Sequence, residues 1–262
     1  MQERLNKLLS AMGVCSRREA DRLIAEGKVL VDGVPARMGQ KAGPGQHIVC
    51  DGRPVRPAGG DRAPEAAGRP KPVLLAVYKP RGVVCTASHK DRAPNIVDMV
   101  QYPDRVYYVG RLDKESEGLV LMTNQGDLVN KVMRSGNAHE KEYIVTVDRP
   151  LTESFLKRLQ KGIWLKELER TTLPCRASKL GEREFSIVLT QGLNRQIRRM
   201  CQACGYEVRT LKRIRVMNIR LEGLKKGGWR KVTGEEYREF LRLLERSTNL
   251  SYKESMERGN GR

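Results

Sequence analysis

The chain has 262 residues, with 50 lysines and arginines against 31 aspartates and glutamates, a formal net charge of +19. That length allows one large or two smaller domains, and a charge so positive favours a polyanionic partner, first of all nucleic acid. No stretch approaches the roughly 18 apolar residues of a membrane-spanning helix, and the first residues lack a secretory signal, so we expect a cytoplasmic protein without a membrane partner.

Residues 1–52 are predicted to form a small domain of helices and short strands. Ser16 and Glu19 stand three residues apart, the spacing of a capping box, and the helix that they begin ends at Gly27. The next segment, "KVLVDGVPA", predicts a hairpin with its Asp-Gly pair at the turn. "HIVCDG" then predicts a further strand.

The same small domain has a basic side formed by Arg17, Arg18, Arg22 and Lys28. Charged helix faces are most often only solvated, and that alternative stays open. Because the cluster agrees with the charge of the whole chain, we expect it to contact nucleic acid.

Residues 53–72 are dense in proline, glycine and alanine, a composition typical of a linker that is flexible but extended at its prolines. We therefore place a domain boundary in this segment. The second domain covers residues 73–245, and residues 246–262 form a polar tail.

The second domain is predicted to contain more strands than helices. Strand patterns occur in "VLLAVYKPRGVVCT", "VYYVG", "GLVLM", "KEYIVTV", "EFSIVLTQG" and "RTLKRIRVMNIRLEGL". Helix patterns occur in "LTESFLKRLQKGI", "NRQIRRMCQACG" and "GEEYREFLRLLERS". Their irregular alternation favours an α+β fold with a largely antiparallel sheet.

Asp113 is the first candidate for chemistry. It lies two residues after Arg111, in the connection that enters the apolar strand "GLVLM", where a carboxylate shielded from water needs a partner. A turn-forming or surface role is an open alternative. Glu115 and Glu117 nearby suggest a metal-binding cluster, but three carboxylates so close together in a loop are more often solvated.

The helix pattern "NRQIRRMCQACG", with Asn194 as its expected cap, combines a core face with basic residues. The apolar stripe at i, i+3, i+4 and i+7 is Ile197, Met200, Cys201 and Cys204. Away from the stripe lie Arg195, Arg198 and Arg199. A helix start with three guanidiniums is suited to phosphate or carboxylate, and an arginine-rich solvated face is the alternative.

The cysteines and two further residues give weaker signals. Six scattered cysteines are typical of reduced thiols, and their one C-x-x-C pair has no partner that would complete a zinc site. We therefore expect no metal or other cofactor. Tyr143, mid-strand on the same face as Val145 and Val147, and the turn at Lys79-Pro80 indicate no function by themselves.

Four motifs in this order, "YKPRGVVCT", "GRLDKESEGLVLMTNQGDL", "KEYIVTV" and "QGLNRQIRRMC", resemble the RsuA-type family of bacterial ribosomal-RNA pseudouridine synthases. "SRREADRLIAEGKVLVDG" is similar to the alpha-L RNA-binding domain that precedes the catalytic domain in that family. "HEKEYIVTVDRPLT" and "IRVMNIRLEGLKKGGWRKVT" are most similar to its RluF branch, which modifies 23S ribosomal RNA. The resemblance implies a mixed α/β catalytic domain on an extended, mainly antiparallel sheet, with RNA across its cleft.

The resemblance also implies roles for site residues. Asp113 matches the catalytic aspartate, Tyr143 the tyrosine that packs on the target uracil, and Arg198 the arginine that pairs with the aspartate. Arg111 matches the arginine that opens or holds the flipped-base site, and Ile197 an apolar residue of the pocket. Together with basic residues of the segments described above, the expected substrate-binding residues are Arg111, Ile197, Arg195, Lys79, Arg17 and Arg18.

The implied reaction isomerises one uridine of ribosomal RNA to pseudouridine, by base flipping and an aspartate-dependent exchange of the glycosidic bond. The implied partner is 23S rRNA or a large-subunit assembly intermediate, and the default state is a monomer. Two alternatives stay open. A non-catalytic RNA-binding or ribosome-assembly protein would not explain Asp113 beside a buried strand, and a metal-dependent nuclease would be sensitive to chelator.

Overall fold

The structure is a computed structural model that describes residues 2–43, 45–55, 71–86, 93–245 and 247. The chain divides into two compact units between Pro72 and Val73.

The N-terminal unit combines helices with short strands. Its elements are β1 (Glu3–Arg4), α1 (Leu5–Ala11), α2 (Arg17–Ala25), β2 (Val29–Val31), β3 (Val34–Pro35), β4 (Lys41–Ala42), β5 (Ile48–Cys50) and β6 (Arg53–Val55). The order β3-β2-β5-β6 forms an antiparallel sheet, and β1 pairs with β4. Leu5, Leu9, Leu23 and Ile48, from helices and strands alike, are buried in one core.

Local signals in this unit are confirmed. The Glu19 amide donates to Ser16 Oγ at 3.1 Å, so Ser16 caps α2 as predicted. β2 and β3 form the predicted hairpin, with Asp32 (φ 52°) and Gly33 (φ 82°) at its turn. Positive φ at both turn positions is what a two-residue type I′ hairpin turn requires.

The predicted linker begins too early. Residues 53–55 form β6, which pairs with β5, and Val55 is buried in the core. Pro54 fits there because β6 is the last strand of the sheet, where a missing backbone N–H leaves no ladder bond unmade. Residues 56–70 of the predicted linker, and all of the predicted tail except Ser247, lie outside the described residues.

The second unit is built on a nine-stranded sheet. Its elements are β7 (Leu74–Lys79), α3 (Ile96–Val100), β8 (Tyr107–Val109), β9 (Glu117–Thr123), α4 (Gly126–Met133), β10 (Lys141–Val147), α5 (Glu153–Lys161), β11 (Trp164–Leu165), β12 (Arg170–Thr171), β13 (Arg176–Lys179), β14 (Glu184–Leu189), α6 (Gln196–Ala203), β15 (Val208–Val216), β16 (Ile219–Arg220), β17 (Trp229–Lys231) and α7 (Gly234–Leu244). The main strand order is β13-β14-β10-β15-β9-β7-β17, with β8 on β9 and β16 on β15. The β9–β15 pair is parallel and the other strand pairs of this sheet are antiparallel, which confirms the predicted fold class.

Both faces of this sheet are covered, and β9 shows it most directly. Val120 and Met122 belong to a core on one face, together with α5 and α6. Leu119 and Leu121 belong to a core on the other face, together with α4 and α7. An uninterrupted apolar strand is what such two-sided burial demands. The arrangement places α6 on the same side of the sheet as Tyr143.

Candidate active site

Asp113 lies in the loop between β8 and β9, and hydrogen bonds fix this loop. The Ser116 amide donates to the Asp113 carbonyl at 3.0 Å, and the Gly82 amide donates to the Lys114 carbonyl at 2.9 Å. Leu112 is buried in the core directly before Asp113. The Asp113 side chain itself keeps 33% of its surface exposed. The loop therefore holds a solvent-accessible carboxylate on a fixed backbone.

A cavity of about 700 Å³ opens beside this loop. Its walls come from the Asp113 loop, from β10 and β15, and from the segment that leads into α6. Five of the candidate catalytic and substrate-binding residues line it: Arg111, Asp113, Tyr143, Arg195 and Ile197. Its volume is in the range of sites that enclose a small organic ligand. The fold thus joins residues of three separate motifs around one space.

Tyr143 and Ile197 supply the apolar wall of the cavity. Tyr143 alternates with Val145 on the buried face of β10 and is 9% exposed, and Ile197 on α6 is 4% exposed. Tyr143 stands opposite Arg213 of β15 in the sheet. A tyrosine ring and an aliphatic side chain facing a common space suit a planar base.

The arginine paired with Asp113 is Arg195, whose Nη1 lies 3.7 Å from the carboxylate. Arg198, expected there from the resemblance, instead donates to the carbonyls of Glu115 (3.3 Å) and Val208 (3.2 Å). Burial lowers the pKa of Arg198, and the nearby charges of Arg195 and Asp113 act on it in opposite directions. The direct pairing of Arg198 with Asp113 is therefore wrong in this structure, and Arg198 braces the loop that carries the aspartate.

Arg195 pairs with Asp113 in place of Arg198 because of where α6 begins. The helix begins at Gln196, and Arg195 is its N-cap residue with left-handed backbone (φ 50°), so the cap predicted at Asn194 is wrong. Gln196 Oε1 accepts from the Leu193 amide at 3.0 Å, which closes the turn ahead of the helix. Arg195 is thereby a loop residue at the cavity, whereas Arg198 sits inside the first turn.

Lys79 does not reach the cavity. Its side chain is fully buried, and its Nζ donates to the carbonyls of Pro80 and Val83, both at 2.8 Å. Burial lowers the pKa of its ammonium group. The expectation that Lys79 contacts RNA is wrong, because the turn after β7 closes around the ammonium, whose hydrogen bonds stabilise that turn.

Arg17 and Arg18 occupy the first turn of α2 in the N-terminal unit, and both side chains are exposed. They remain available to a polyanion. No helix in the described part of the chain is long and apolar enough to cross a membrane.

The acidic residues near Asp113 do not converge. Each has its own cationic partner: Asp113 has Arg195, Glu115 has Arg81, and Glu117 has Lys226. Over the residues that the structure describes, no group of three or more His, Cys, Asp or Glu side chains could hold a metal ion. The cluster that a metal-dependent nuclease would need is thus not assembled from these carboxylates.

Comparison with known proteins matches two family models to this chain. The model described as RNA pseudouridylate synthase matches residues 73–203, half of the chain, and the S4 domain model matches residues 3–48. The chain belongs to the RNA pseudouridylate synthase family. The family inferred from the four motifs is confirmed, and so is an enzymatic function: this synthase isomerises uridine in RNA to pseudouridine.

Individual relatives agree with the family. The Dual-specificity RNA pseudouridine synthase RluF of Escherichia coli K12 is 45% identical over 246 residues, which are 94% of this chain and 81% of that protein. The Ribosomal large subunit pseudouridine synthase B of Bacillus subtilis is 35% identical over 94% of this chain and 99% of its own length. A solved pseudouridylate synthase covers 92% of this chain and 99% of its own at 24% identity, with a TM-score of 0.64, and supports the fold.

Sequence reasoning missed several polar residues of the synthase's cavity, and Lys141, Gln191 and Arg213 are the three with the most consequence. They are 4%, 6% and 2% exposed. Lys141 did give a signal, because it stands two residues before Tyr143 in an alternating strand and so faces the same way. Gln191 and Arg213 gave none, since their proximity to Tyr143 depends on how distant segments pair.

We expect Lys141→Met to stabilise the fold. Burial and the charge of Arg213 lower the pKa of Lys141 from 10.5 to about 8. Because the folded-state pKa is the lower one, the ammonium destabilises the protein fully below pH 8, and this effect is lost as the pH rises toward 10.5. At pH 7 the variant should gain up to about 3 kcal/mol in the free energy of unfolding.

Denaturant titrations at pH 7 and pH 10 measure this gain, which should shrink at the higher pH. Lys161→Met, at an exposed position, is the matched control and should gain nothing. Equal or lower stability of Lys141→Met at pH 7 would contradict the prediction.

Proposed function

We propose that this synthase modifies one uridine of 23S ribosomal RNA, presented as free RNA or in a large-subunit assembly intermediate, in the cytoplasm. The name of the Bacillus subtilis relative refers to the large ribosomal subunit, and the net charge of +19 suits a large polyanion. The observation that carries the proposal is the cavity in which Asp113, Tyr143 and Arg195 meet.

In the proposed reaction the target nucleotide leaves its stack and its base enters this cavity. Asp113 supplies the negative charge needed beside the ribose, as nucleophile or as base, when the bond from the sugar to N1 of uracil breaks. Tyr143 and Ile197 hold the uracil ring between them while it turns. The ring then rejoins the sugar through C5, and we assign to Tyr143 a part in removing the C5 proton.

The three arginines Arg195, Arg198 and Arg111 have different proposed roles. Arg195 orients the Asp113 carboxylate, as expected of a guanidinium 3.7 Å away from it. Arg198 acts as a positioning residue through its hydrogen bond to the Glu115 carbonyl. Arg111, exposed at the cavity, is proposed to hold the opened RNA strand.

The proposed substrate is tested with RNA labelled with tritium at C5 of uridine, because isomerisation releases that tritium. Wild-type protein should release it from 23S rRNA or a large-subunit particle, with the same rate in the presence of chelator. Mapping the product should then locate a single major pseudouridine. Release from 16S rRNA or small RNA in preference to 23S rRNA would contradict the substrate.

The S4 region is proposed to capture RNA without taking part in the chemistry. We expect the double variant Arg17→Gln, Arg18→Gln to bind RNA more weakly and to reduce the slope of log Kd against log salt by about 2, one unit per lost phosphate contact. The rate at saturating RNA should be unchanged. Filter binding across a salt titration measures the slope, and an unaltered slope would remove these two arginines from the interface.

A further inference from the structure

The floor of the cavity carries two cations without an anionic partner. Lys141 Nζ donates to the His139 carbonyl at 3.0 Å, and Arg213 Nε donates to the Leu119 carbonyl at 2.6 Å. One terminal nitrogen of Arg213 is buried and has no hydrogen-bond acceptor. Among the described residues, no carboxylate lies within ion-pair distance of either cation.

Gln191 adds a third donor to the same cavity. Its Oε1 accepts from the Leu173 amide at 2.8 Å, which fixes the orientation of the amide, and its Nε2 is buried without an acceptor. Buried donors without acceptors are rare in folded proteins and cost free energy. Two neighbouring cations in one buried place add mutual repulsion. The surrounding fold must therefore offset the free-energy cost of these three buried donors. A bound ligand with acceptor oxygens would supply the hydrogen-bond partners that they lack.

We propose that Lys141 and Arg213 form a subsite that binds a carbonyl oxygen of the flipped uracil and stabilises the negative charge that the ring acquires during isomerisation. This inference rests on the proposed function, because Tyr143 is what brings the ring into the cavity. Arg213 stands opposite Tyr143 in the sheet, and Lys141 shares its face of β10. A ring packed on Tyr143 therefore has its edge close to both cations.

The charge balance of the reaction creates the need for this subsite. When the bond between C1′ and N1 breaks, its electron pair stays on the uracil ring and is shared by the two carbonyl oxygens. On the sugar side of the broken bond, Asp113 compensates the positive charge that develops at C1′. Fixed cations at the carbonyl edge stabilise the separated ring and lose no proton, as the donors of an oxyanion hole do. When C5 joins C1′, the negative charge of the ring disappears.

A phosphate of the RNA backbone is the other possible source of acceptor oxygens. Cations that capture phosphates usually lie at the surface, as Arg17 and Arg18 do. Lys141 and Arg213 are 4% and 2% exposed, so a backbone phosphate would have to lose nearly all its water to reach them. Their burial therefore favours the base.

The test compares Lys141→Met and Lys141→Arg with wild type, using tritium release at saturating RNA and RNA affinity. We expect Lys141→Met to lower kcat by about 10²-fold with Kd within about twofold, and Lys141→Arg to recover part of the rate because it keeps the charge. Lys161→Met should behave as wild type. The stability measurement described above shows whether each variant is folded.

The pH dependence of the rate distinguishes a catalytic role of Lys141 from a purely structural one. The wild-type rate should fall above about pH 8, where Lys141 loses its charge, and Lys141→Arg should lack this limb. The other titratable or charged groups that line the site are Cys85, Arg111, Asp113, Lys114, Tyr143, Arg195 and Arg213, with His139 next to Lys141. Burial raises the pKa of Cys85 and lowers that of His139, so neither of these two adds a limb at pH 8.

Three outcomes would overturn the inference. A kcat of folded Lys141→Met within threefold of wild type would remove the subsite while leaving the proposed site intact. An unchanged kcat with a salt slope reduced by about 1 would assign Lys141 to a phosphate. If instead Asp113→Asn keeps the wild-type rate in the same assay, the proposed site fails and the subsite fails with it.

Discussion

We expect Asp113→Asn to lose about 10³-fold or more in kcat while RNA affinity stays within about twofold of wild type. Asparagine keeps the shape of aspartate but supplies neither a nucleophilic oxygen anion nor a base beside the ribose. The loop should survive the change, because its hydrogen bonds use the backbone of Asp113 and Ser116. The ion pair with Arg195 is solvent-accessible at 3.7 Å and contributes at most about 1 kcal/mol.

The measurement is tritium release from 23S rRNA, with RNA affinity and thermal unfolding as accompanying readouts. Asp104→Asn is the matched control, since Asp104 is an exposed aspartate in the loop before β8, away from the cavity. A variant that keeps a tenth of the wild-type rate would remove Asp113 from its catalytic role. Lost affinity with a preserved rate at saturation would make it a binding residue.

The second large effect is expected from Gly118→Ala. Gly118 has φ +116°, and a Cβ atom built there would lie 2.2 Å from the carbonyl oxygen and 2.6 Å from the amide nitrogen of Arg213. Both are backbone atoms of β15, so no side chain can move away to make room. We expect the catalytic unit to lose about 4 kcal/mol or more, or to fail to fold.

Soluble yield and the melting temperature measure this effect. Gly126→Ala is the control, because a Cβ at Gly126, the first residue of α4, meets nothing within 4 Å and alanine is favoured in a helix. A Gly118→Ala protein that melts at the wild-type temperature would show that β9 and β15 can separate without cost.

This close approach also bears on function. The parallel pairing of Gly118 with Arg213 sets the distance between the strand that follows Asp113 and the strand that carries one cation of the cavity floor. A Gly118 variant that folds with β9 and β15 further apart should therefore have a lower reaction rate but nearly unchanged RNA affinity, since reacting groups tolerate little displacement.

Much of this protein is determined by the sequence itself. Alternation in β10 predicts that Tyr143 faces the core, the unbroken apolar run of β9 predicts burial on both faces, and Ser16 predicts the start of α2. These features depend on side-chain periodicity or on hydrogen bonds that span a few residues, which a linear pattern records. The order of the four motifs likewise points to the family and to Asp113.

The tertiary structure decided which residues meet. Arg195, and not Arg198, pairs with Asp113 because the backbone at Arg195 is left-handed and α6 begins one residue later than its pattern predicts. The cations Lys141 and Arg213 share a cavity because β10 and β15 are neighbours in the sheet. Strand order, register and local backbone hand join residues that are far apart in the chain, and periodicity within one segment carries no record of its partner.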